Sequence, residues 1–259
     1  MDRIITLISD WKLRDAYIGM FKGTLIKHFP EINILDITHS IDKQNIEQTA
    51  FILRNSFRSF PNNSIHLILT GLTTYPKLDP IILFYEDHIF IGQDNGIFSM
   101  LVEQNTNYTA CQFQELDPKT TTIDKILQLI DLYFQNKIER NCKPISNFLR
   151  VPIQRPFFDA KTHKLSGKIM YIDSFCNAIT NIPTLQFLEI RNNNNFTVSF
   201  GNKKHVESSA YYDDYNPKEY DIYLTAGRFG YIEITINHGE LANMTSIWID
   251  DAVEITFNE

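Results

Sequence analysis

Two carboxylates, Asp10 and Asp15, come directly after an apolar, β-branched run at residues 4–8 that stops at Ser9. Carboxylates in such a place can accept hydrogen bonds from a ligand's hydroxyls or pair with an ammonium group. Beyond them Tyr17, Met20, Phe21, Thr24 and Leu25 recur at helical spacing, so the opening reads strand, loop, helix. In an open parallel sheet, ligands sit beyond the carboxyl ends of the strands, which is where this loop falls. Asp15 serves equally well as a helix cap, and that alternative stays open. A second polar loop, Gly92-Gln93-Asp94-Asn95-Gly96, precedes an apolar segment at 97–102 and reads either as a strand-end site or as a plain turn.

Other chemistries find no support. No Gly-x-Gly-x-x-Gly, Gly-Lys-Ser/Thr or Gly-x-Ser-x-Gly motif occurs. The histidines, His39, His66 and His238 among them, lack zinc-ligand spacing, so no metal is expected. A net charge of -7 argues against a nucleic-acid partner, which needs a basic face. Lys161, Lys164, Lys168, Lys203 and Lys204 read as scattered surface residues. The first apolar run is cut short by Asp10, so neither a secretory signal nor a membrane span is expected, and the reading is cytoplasmic. Cys111, Cys142 and Cys176 read as reduced thiols.

The elements that must position these residues follow in a regular rhythm. Strands at 32–37 and 65–69 alternate with a helix carrying Ile46, Ala50, Leu53 and Phe57 on one face. This is the pattern of right-handed crossovers and a mostly parallel sheet. Runs at 81–85 and 88–91 flank Glu86-Asp87 as a hairpin, and an amphipathic helix begins at Thr122. Periodicity then dissolves among Pro144, Pro152 and Pro156. The organisation expected is an α/β N-terminal domain at 1–140, a linker at 141–165 and a C-terminal β domain at 166–259. The last contains runs at 168–172, 196–200, 222–225, 231–236 and 252–257, suiting an antiparallel barrel or sandwich.

Several short motifs occur together and in order. They are Ser9-Asp10 with Arg14-Asp15 and Lys22-Gly23; Asp36-Ile37-Thr38-His39; Gly92-x-Asp94-Asn95-Gly96; Tyr171-Ile172-Asp173-x-Phe175-x-Asn177-x-x-Thr180-Asn181; and Gly230-Tyr231-Ile232-Glu233-Ile234-x-Ile236-Asn237. In this the chain resembles the S-adenosylmethionine (SAM) hydroxide adenosyltransferase family, which also contains the SAM-dependent fluorinase and chlorinase. The resemblance implies an α/β N-terminal domain, a C-terminal all-β barrel and a homotrimer with sites between neighbouring subunits. It implies a small-molecule nucleoside ligand, SAM or adenosine, with SAM as substrate or ligand and no separate cofactor. Asp10 would hold the ribose hydroxyls, with Asp15 nearby. Asp173 and Asn177 would hold the methionine end beside Phe175. Asn95 would lie at the ligand, and the backbone at Asn237 and His238 would face adenine.

The chemistry so implied is substitution at the ribose C5′, with methionine leaving as a neutral thioether. The family's hydrolases resemble one another in an Asp-Arg-His set that orients and deprotonates water. Ungapped counting puts Gly71, Leu78 and Thr121 at those positions, none of which can act as the usual residue. A positioned base is worth about 10² to 10⁴ in rate, so slow hydrolysis survives its loss. Thr70, Thr73, Thr74, Tyr75, Thr120 and Thr122 crowd the affected loops and offer hydrogen-bond donors. Thr74-Tyr75-Pro76 is similar to a halogenase tripeptide but falls late in the alignment. Cys176 stands at a usual glycine. Four readings follow: slow or rewired SAM cleavage, a non-catalytic SAM or adenosine sensor, a pocket for another nucleoside, and a halide-using SAM adenosyltransferase, since a halide nucleophile needs no base.

Overall fold

The computed structural model describes residues 3–72, 78–103, 106–114, 119–201, 206–208, 210–212 and 216–258. Thr73, Thr74, Tyr75 and Pro76, and with them the tripeptide and half of the threonine-rich loop, lie outside the described residues, as do Lys203 and Lys204. The chain divides into two compact units, Met1–Val151 and Pro152–Glu259.

The first unit contains β1 (Arg3–Ile8), α1 (Tyr17–His28), β2 (Ile32–Thr38), α2 (Ile46–Arg54), β3 (Ile65–Ile68), β4 (Pro80–Tyr85), β5 (His88–Gln93), α3 (Ile97–Leu101), β6 (Thr109–Phe113), α4 (Thr122–Phe134), α5 (Ile138–Asn141) and β7 (Cys142–Ile145). Its sheet runs β2-β1-β3-β5-β4-β6-β7. The first four strands are parallel, and the other three join antiparallel. β1 lies between β2 and β3, so the chain winds to one side through α1 and then returns to the other through α2. The two helices therefore cover opposite faces. Phe21 and Leu25 of α1 share a core with Ile5, Leu7, Leu67, Ile91 and the apolar stripe of α4. Ala50 and Leu53 of α2 share another with Ile8, Ile68, Phe90 and α3. Helix α2 ends earlier than its spacing suggested, and Phe57 begins a short 3-10 turn instead. Glu86 and Asp87 take left-handed angles, φ 47° and 59°, as a tight hairpin turn between antiparallel strands demands.

The second unit contains β8 (Phe157–Asp159), β9 (Lys164–Ile172), β10 (Ala178–Pro183), α6 (Thr184–Arg191), β11 (Phe196–Phe200), β12 (Val206–Ser208), β13 (Ile222–Ala226), β14 (Tyr231–Ile236), α7 (Leu241–Thr245) and β15 (Ala252–Phe257). Its strands pair antiparallel in the order β12-β11-β15-β9-β10-β14-β13, with β8 beside β9, as a curled half-barrel sheet. β11, β14 and β15 alternate buried and more exposed residues, and Val198, Ile234, Ile255 and Phe187 are among those that fill the concave core.

The segment 141–165, read as linker, carries ordered structure. β7 pairs with β6 at the edge of the first sheet, and β8 pairs with β9. Pro144 is compatible with β7 because an edge strand need not donate on its outer side. β10 and α6 are further elements that periodicity did not reveal. Five of the six residues of β10 are buried, polar Thr180 and Asn181 included, so it shows no alternation. Asn181 Oδ1 accepts the Lys168 backbone N–H at 2.8 Å, while its Nδ2 donates to the Gln154 carbonyl at 2.8 Å. Of the lysines read as scattered, Lys164 pairs with Glu254 and Lys168 with Asp250, each at 2.7 Å.

One polar chain runs through the first unit's core. Thr6 Oγ1 lies 2.7 Å from His66 Nδ1, and His66 Nε2 lies 3.0 Å from His88 Nδ1, among Phe57, Phe60 and Phe90. Burial, and then the neighbouring His88, pushes the His66 imidazole down from 6.5 to about 3. The unfolded chain therefore binds the extra proton between these values, and the folded chain does not. Stability should fall by up to about 1.4 kcal/mol per pH unit as pH drops from 6.5 toward 3. Urea midpoints measured across this range test the expectation. The slope should flatten in His66→Gln, and an unchanged slope would assign the effect elsewhere.

Candidate functional site

The loops after β1, β2, β3 and β5 emerge at the same end of the parallel strands. Between β1 and β3 the winding reverses direction, and the loops following these two strands diverge there, opening the crevice where α/β sheets bind ligands. Asp10 lies in the first of those loops. Its Oδ2 accepts the backbone N–H groups of Gln44 at 2.9 Å and Gly71 at 3.3 Å, from the loops after β2 and β3. Gly71 can make this approach because it takes φ +76°, a left-handed conformation natural to glycine. Among the described residues Oδ1 accepts no hydrogen bond, leaving one carboxylate oxygen uncommitted.

Asn95 joins the same cluster. Its side chain is buried, with Nδ2 donating to the Thr70 carbonyl and Oδ1 accepting from Ile97 N–H, both at 3.3 Å. Gly96 then turns at φ +105° to begin α3, and a Cβ there would meet Val151 at 2.3 Å. The Asp-Asn-Gly loop thus performs a turn's work while bringing Asn95 against Thr70, the neighbour of Gly71. Asp94 accepts the Leu149 N–H at 3.0 Å, and burial raises its carboxyl above the ordinary range.

Asp15 is exposed, and the helix-cap alternative does not describe it. Ala16 occupies the N-cap of α1, and no side chain caps that end. Alongside, Trp11, Tyr17, Met20, Phe21, Thr24 and Ile123 line an apolar pocket of about 470 Å³.

The positions that ungapped counting assigns to the family's water-orienting set have local structural duties. Gly71 supplies an amide to Asp10. Leu78 is half-buried, and its carbonyl accepts from Gln93 Nε2 at 2.8 Å. Thr121 caps α4, accepting Asp124 N–H at 3.1 Å and donating to Asp124 Oδ2 at 2.7 Å.

In the second unit the structure brings together Asp173, Phe175 and Asn177. They form a tight loop between β9 and β10. Asp173 Oδ1 accepts the N–H groups of Phe175 and Asn177, both at 2.9 Å, and Asn177 Nδ2 reaches Asp173 Oδ2 at 3.3 Å. Thr235 of β14 donates to Asn177 Oδ1. Phe175 is 77% exposed at the loop's tip, free to pack on a ligand. Glu233, on the same strand as Thr235, stands in the sequence as a motif residue with no site role assigned to it. Burial, and then the charge of Asp173, raises its carboxyl above the ordinary range. Its only sequence signal was a charged residue inside an otherwise apolar run.

Asn237 and His238 sit in the turn after β14. The Asn237 side chain donates to the carbonyls of Pro217 at 2.9 Å and Lys218 at 3.1 Å, and its backbone N–H and carbonyl pair with Asp221 O at 2.9 Å and Tyr220 N–H at 2.8 Å, so the residue anchors a neighbouring loop. His238 is exposed at φ +55°. Among the described residues no three His, Cys, Asp or Glu side chains gather as metal ligands, and no helix is long and apolar enough to cross a membrane.

A polar cluster at the switch point of a doubly wound sheet, in a chain whose second unit is a curled antiparallel sheet with an acidic loop, defines a ligand-binding α/β-plus-β protein. Models of the SAM hydroxide adenosyltransferase N-terminal and C-terminal domains match residues 5–139 and 167–254, so the chain belongs to the SAM hydroxide adenosyltransferase family. A protein of Methanocaldococcus jannaschii named (R)-S-adenosyl-L-methionine hydrolase is 29% identical over 39% of this chain and 40% of its own length. One of the same name from Thermus thermophilus is 23% identical over 38% of each. These alignments thus span about two fifths of the curated relatives they match. An uncharacterised conserved protein of Thermotoga maritima shares the fold, with a TM-score of 0.78 and 20% identity over 98% of this chain and 99% of that one.

Cys176 adopts φ +62°. The loop keeps its left-handed turn despite the side chain, at a cost of about 1 kcal/mol for an L-residue. Its carbonyl is also engaged, accepting Ala242 N–H at 3.0 Å from α7. Cys176→Gly should therefore be neutral to stabilising, by up to about 1 kcal/mol in a denaturant melt. A clear loss of stability would show that the thiol's own contacts outweigh the strain.

Proposed function

We propose that this chain cleaves SAM to adenosine and methionine by substitution at the ribose C5′, slowly and with a water site that departs from the family's usual one. The observation that carries the reading is Asp10, a carboxylate pinned through one oxygen by two backbone amides at the sheet's switch point, in a chain matched by both family domain models. With Oδ2 held, Oδ1 suits the vicinal hydroxyls of a ribose. Asn95 borders that position, and Asp15 contributes negative charge nearby. Asp173 and Asn177 suit the ammonium and carboxylate of a methionine end, with Phe175 beside its sulfonium and the backbone of Asn237 and His238 toward adenine.

In the reaction, water oxygen attacks C5′ while the carbon–sulfur bond breaks. Sulfur keeps the electron pair, so methionine leaves as a neutral thioether and needs no general acid. The water's proton passes to solvent. Orientation and exclusion of bulk water supply the acceleration. A missing general base forfeits about 10² to 10⁴ in rate, some 3 to 5 kcal/mol of barrier. SAM enters as substrate, and no separate cofactor is invoked.

The duties of Gly71, Leu78 and Thr121 favour a second reading, a non-catalytic protein that senses SAM or adenosine. None of the three offers an acid or base, and each is engaged in holding local structure. A chain using halide as nucleophile, which needs no base, is a third. The exposed Tyr17 and Met20 at the apolar pocket, with the exposed Leu13, suit self-association, and the homotrimer that the family resemblance implies is read by sedimentation as three times the 30.2 kDa chain mass.

A single-turnover incubation, with protein in excess over SAM and chloride present, separates these readings by mass spectrometry. Adenosine and methionine appearing above the protein-free rate are expected. SAM recovered intact on the protein supports the sensor, and chlorinated adenosine supports the halide reading. Asp10→Ala should weaken binding of SAM or adenosine tenfold or more by calorimetry, the loss of about 1.5 kcal/mol or more expected for a charged hydrogen bond. Unchanged affinity would remove Asp10 from the site.

A further inference from the structure

Four residues that appear in the sequence only as separate motif letters form one polar chain beside Asp10. Lys22 of α1 donates to Asp36 Oδ2 at 2.6 Å, and His39 Nε2 approaches Asp36 Oδ1 at 3.1 Å in a bent geometry. His39 Nδ1 lies 2.8 Å from Ser9 Oγ, which in turn accepts the Trp11 N–H at 3.3 Å. Burial works to raise the Asp36 carboxyl, but its hydrogen bonds to Lys22 and then His39 outweigh this and hold it below the ordinary range. It is therefore charged and a ready acceptor. Lys22 donates to Asp36 and Trp11 N–H to Ser9 Oγ, His39 Nδ1 shares a hydrogen bond with Ser9 Oγ, and His39 Nε2 faces Asp36 Oδ1 without an aligned hydrogen bond.

This chain does work that the fold by itself does not require. The loop after β1 is already tied to the loop after β2 by backbone bonds, Ser9 N–H to Thr38 O at 3.0 Å and Lys12 N–H to His39 O at 2.9 Å. Lys12 Nζ adds the carbonyls of Ser40 and Ile41. A buried imidazole is costly unless its nitrogens are matched, and an apolar side chain would fill the space at less risk. What the imidazole adds is direction. It fixes the ring and hydroxyl between residue 9 and residue 39, the same two loops that Asp10 bridges through Gln44 N–H. A slip between these loops would move Gln44 relative to Asp10 and turn the carboxylate.

We propose that His39, clamped between Ser9 and the Asp36–Lys22 pair, is a positioning residue that sets the direction of the Asp10 carboxylate toward a ligand's ribose hydroxyls. The inference rests on the reading that Asp10 holds those hydroxyls. It makes the chain's affinity for a ribonucleoside depend on a residue that never touches the ligand.

Adenosine is the probe, and calorimetry on the full chain the measurement, in a double-mutant cycle of His39→Gln and Asp10→Asn. His39→Gln should weaken adenosine binding about tenfold, a coupling usual for neighbours in one network, and should have no further effect once Asp10 is Asn. Lys22 is partly exposed, so Lys22→Met tests the same chain without opening the core, and Lys22→Arg should restore the affinity that Lys22→Met loses. The proposal is overturned if folded His39→Gln binds adenosine like the parent, if its effect persists undiminished in the Asp10→Asn background, or if Lys22→Arg binds no better than Lys22→Met. Should His39→Gln fail to fold, the Lys22 pair decides the matter. A parent chain that binds neither adenosine nor SAM overturns the functional reading and this one with it, whereas a binding parent with unaffected variants overturns this one alone.

Discussion

The central constraint is the reversal of winding at β1. A parallel strand flanked by β2 on one side and β3 on the other must send its crossovers over opposite faces. Two apolar cores follow, one under α1 and α4 and one under α2 and α3. The loops after β1 and β3 must also part, and backbone amides at that gap have no neighbouring strand to receive them. Asp10 meets this need by accepting Gly71 N–H across the gap and Gln44 N–H from the loop after β2. The carboxylate thus closes the top of the sheet through Oδ2, while Oδ1 accepts no hydrogen bond among the described residues.

Site and scaffold share atoms within each unit. Gly71, Asn95 and Thr121 complete backbone hydrogen bonding or cap a helix, and Asp173 folds its own loop with two amides. Residues that do both jobs are held rigidly, and rigid polar groups are what a site needs to bind without reorganising. The same economy carries a cost, because Gly71, Leu78 and Thr121, each committed to local structure, offer no group able to move a proton. A nucleophile activated here would have to rely on orientation and exclusion of solvent.

Much of the architecture was legible because its signals are local. β-branched runs, the Glu86-Asp87 hairpin, the start of α4 at Thr122 and its apolar stripe all depend on near neighbours in sequence. β10, α6 and β7 were not legible, for related reasons. β10 is buried on both faces and loses alternation, α6 buries only Phe187, and β7 carries a proline that only an edge position tolerates. The region read as linker shows how a stretch poor in periodicity can still be strand when a partner edge awaits it.

The site divides in the same way. Residue order alone determined that Asp10, Asn95, Asp173 and Asn177 stand just beyond strands, because the strand that ends before each of them can be read from side-chain pattern. The carboxylate's pinned oxygen, the anchoring of a neighbouring loop by Asn237, the proximity of Glu233 to Asp173 and the Lys22-Asp36-His39-Ser9 chain were decided only by tertiary structure. Each joins loops or strands that are distant in sequence, through hydrogen bonds whose geometry no spacing rule encodes. Burial, which sets how strongly those groups interact, exists only once the sheets have formed.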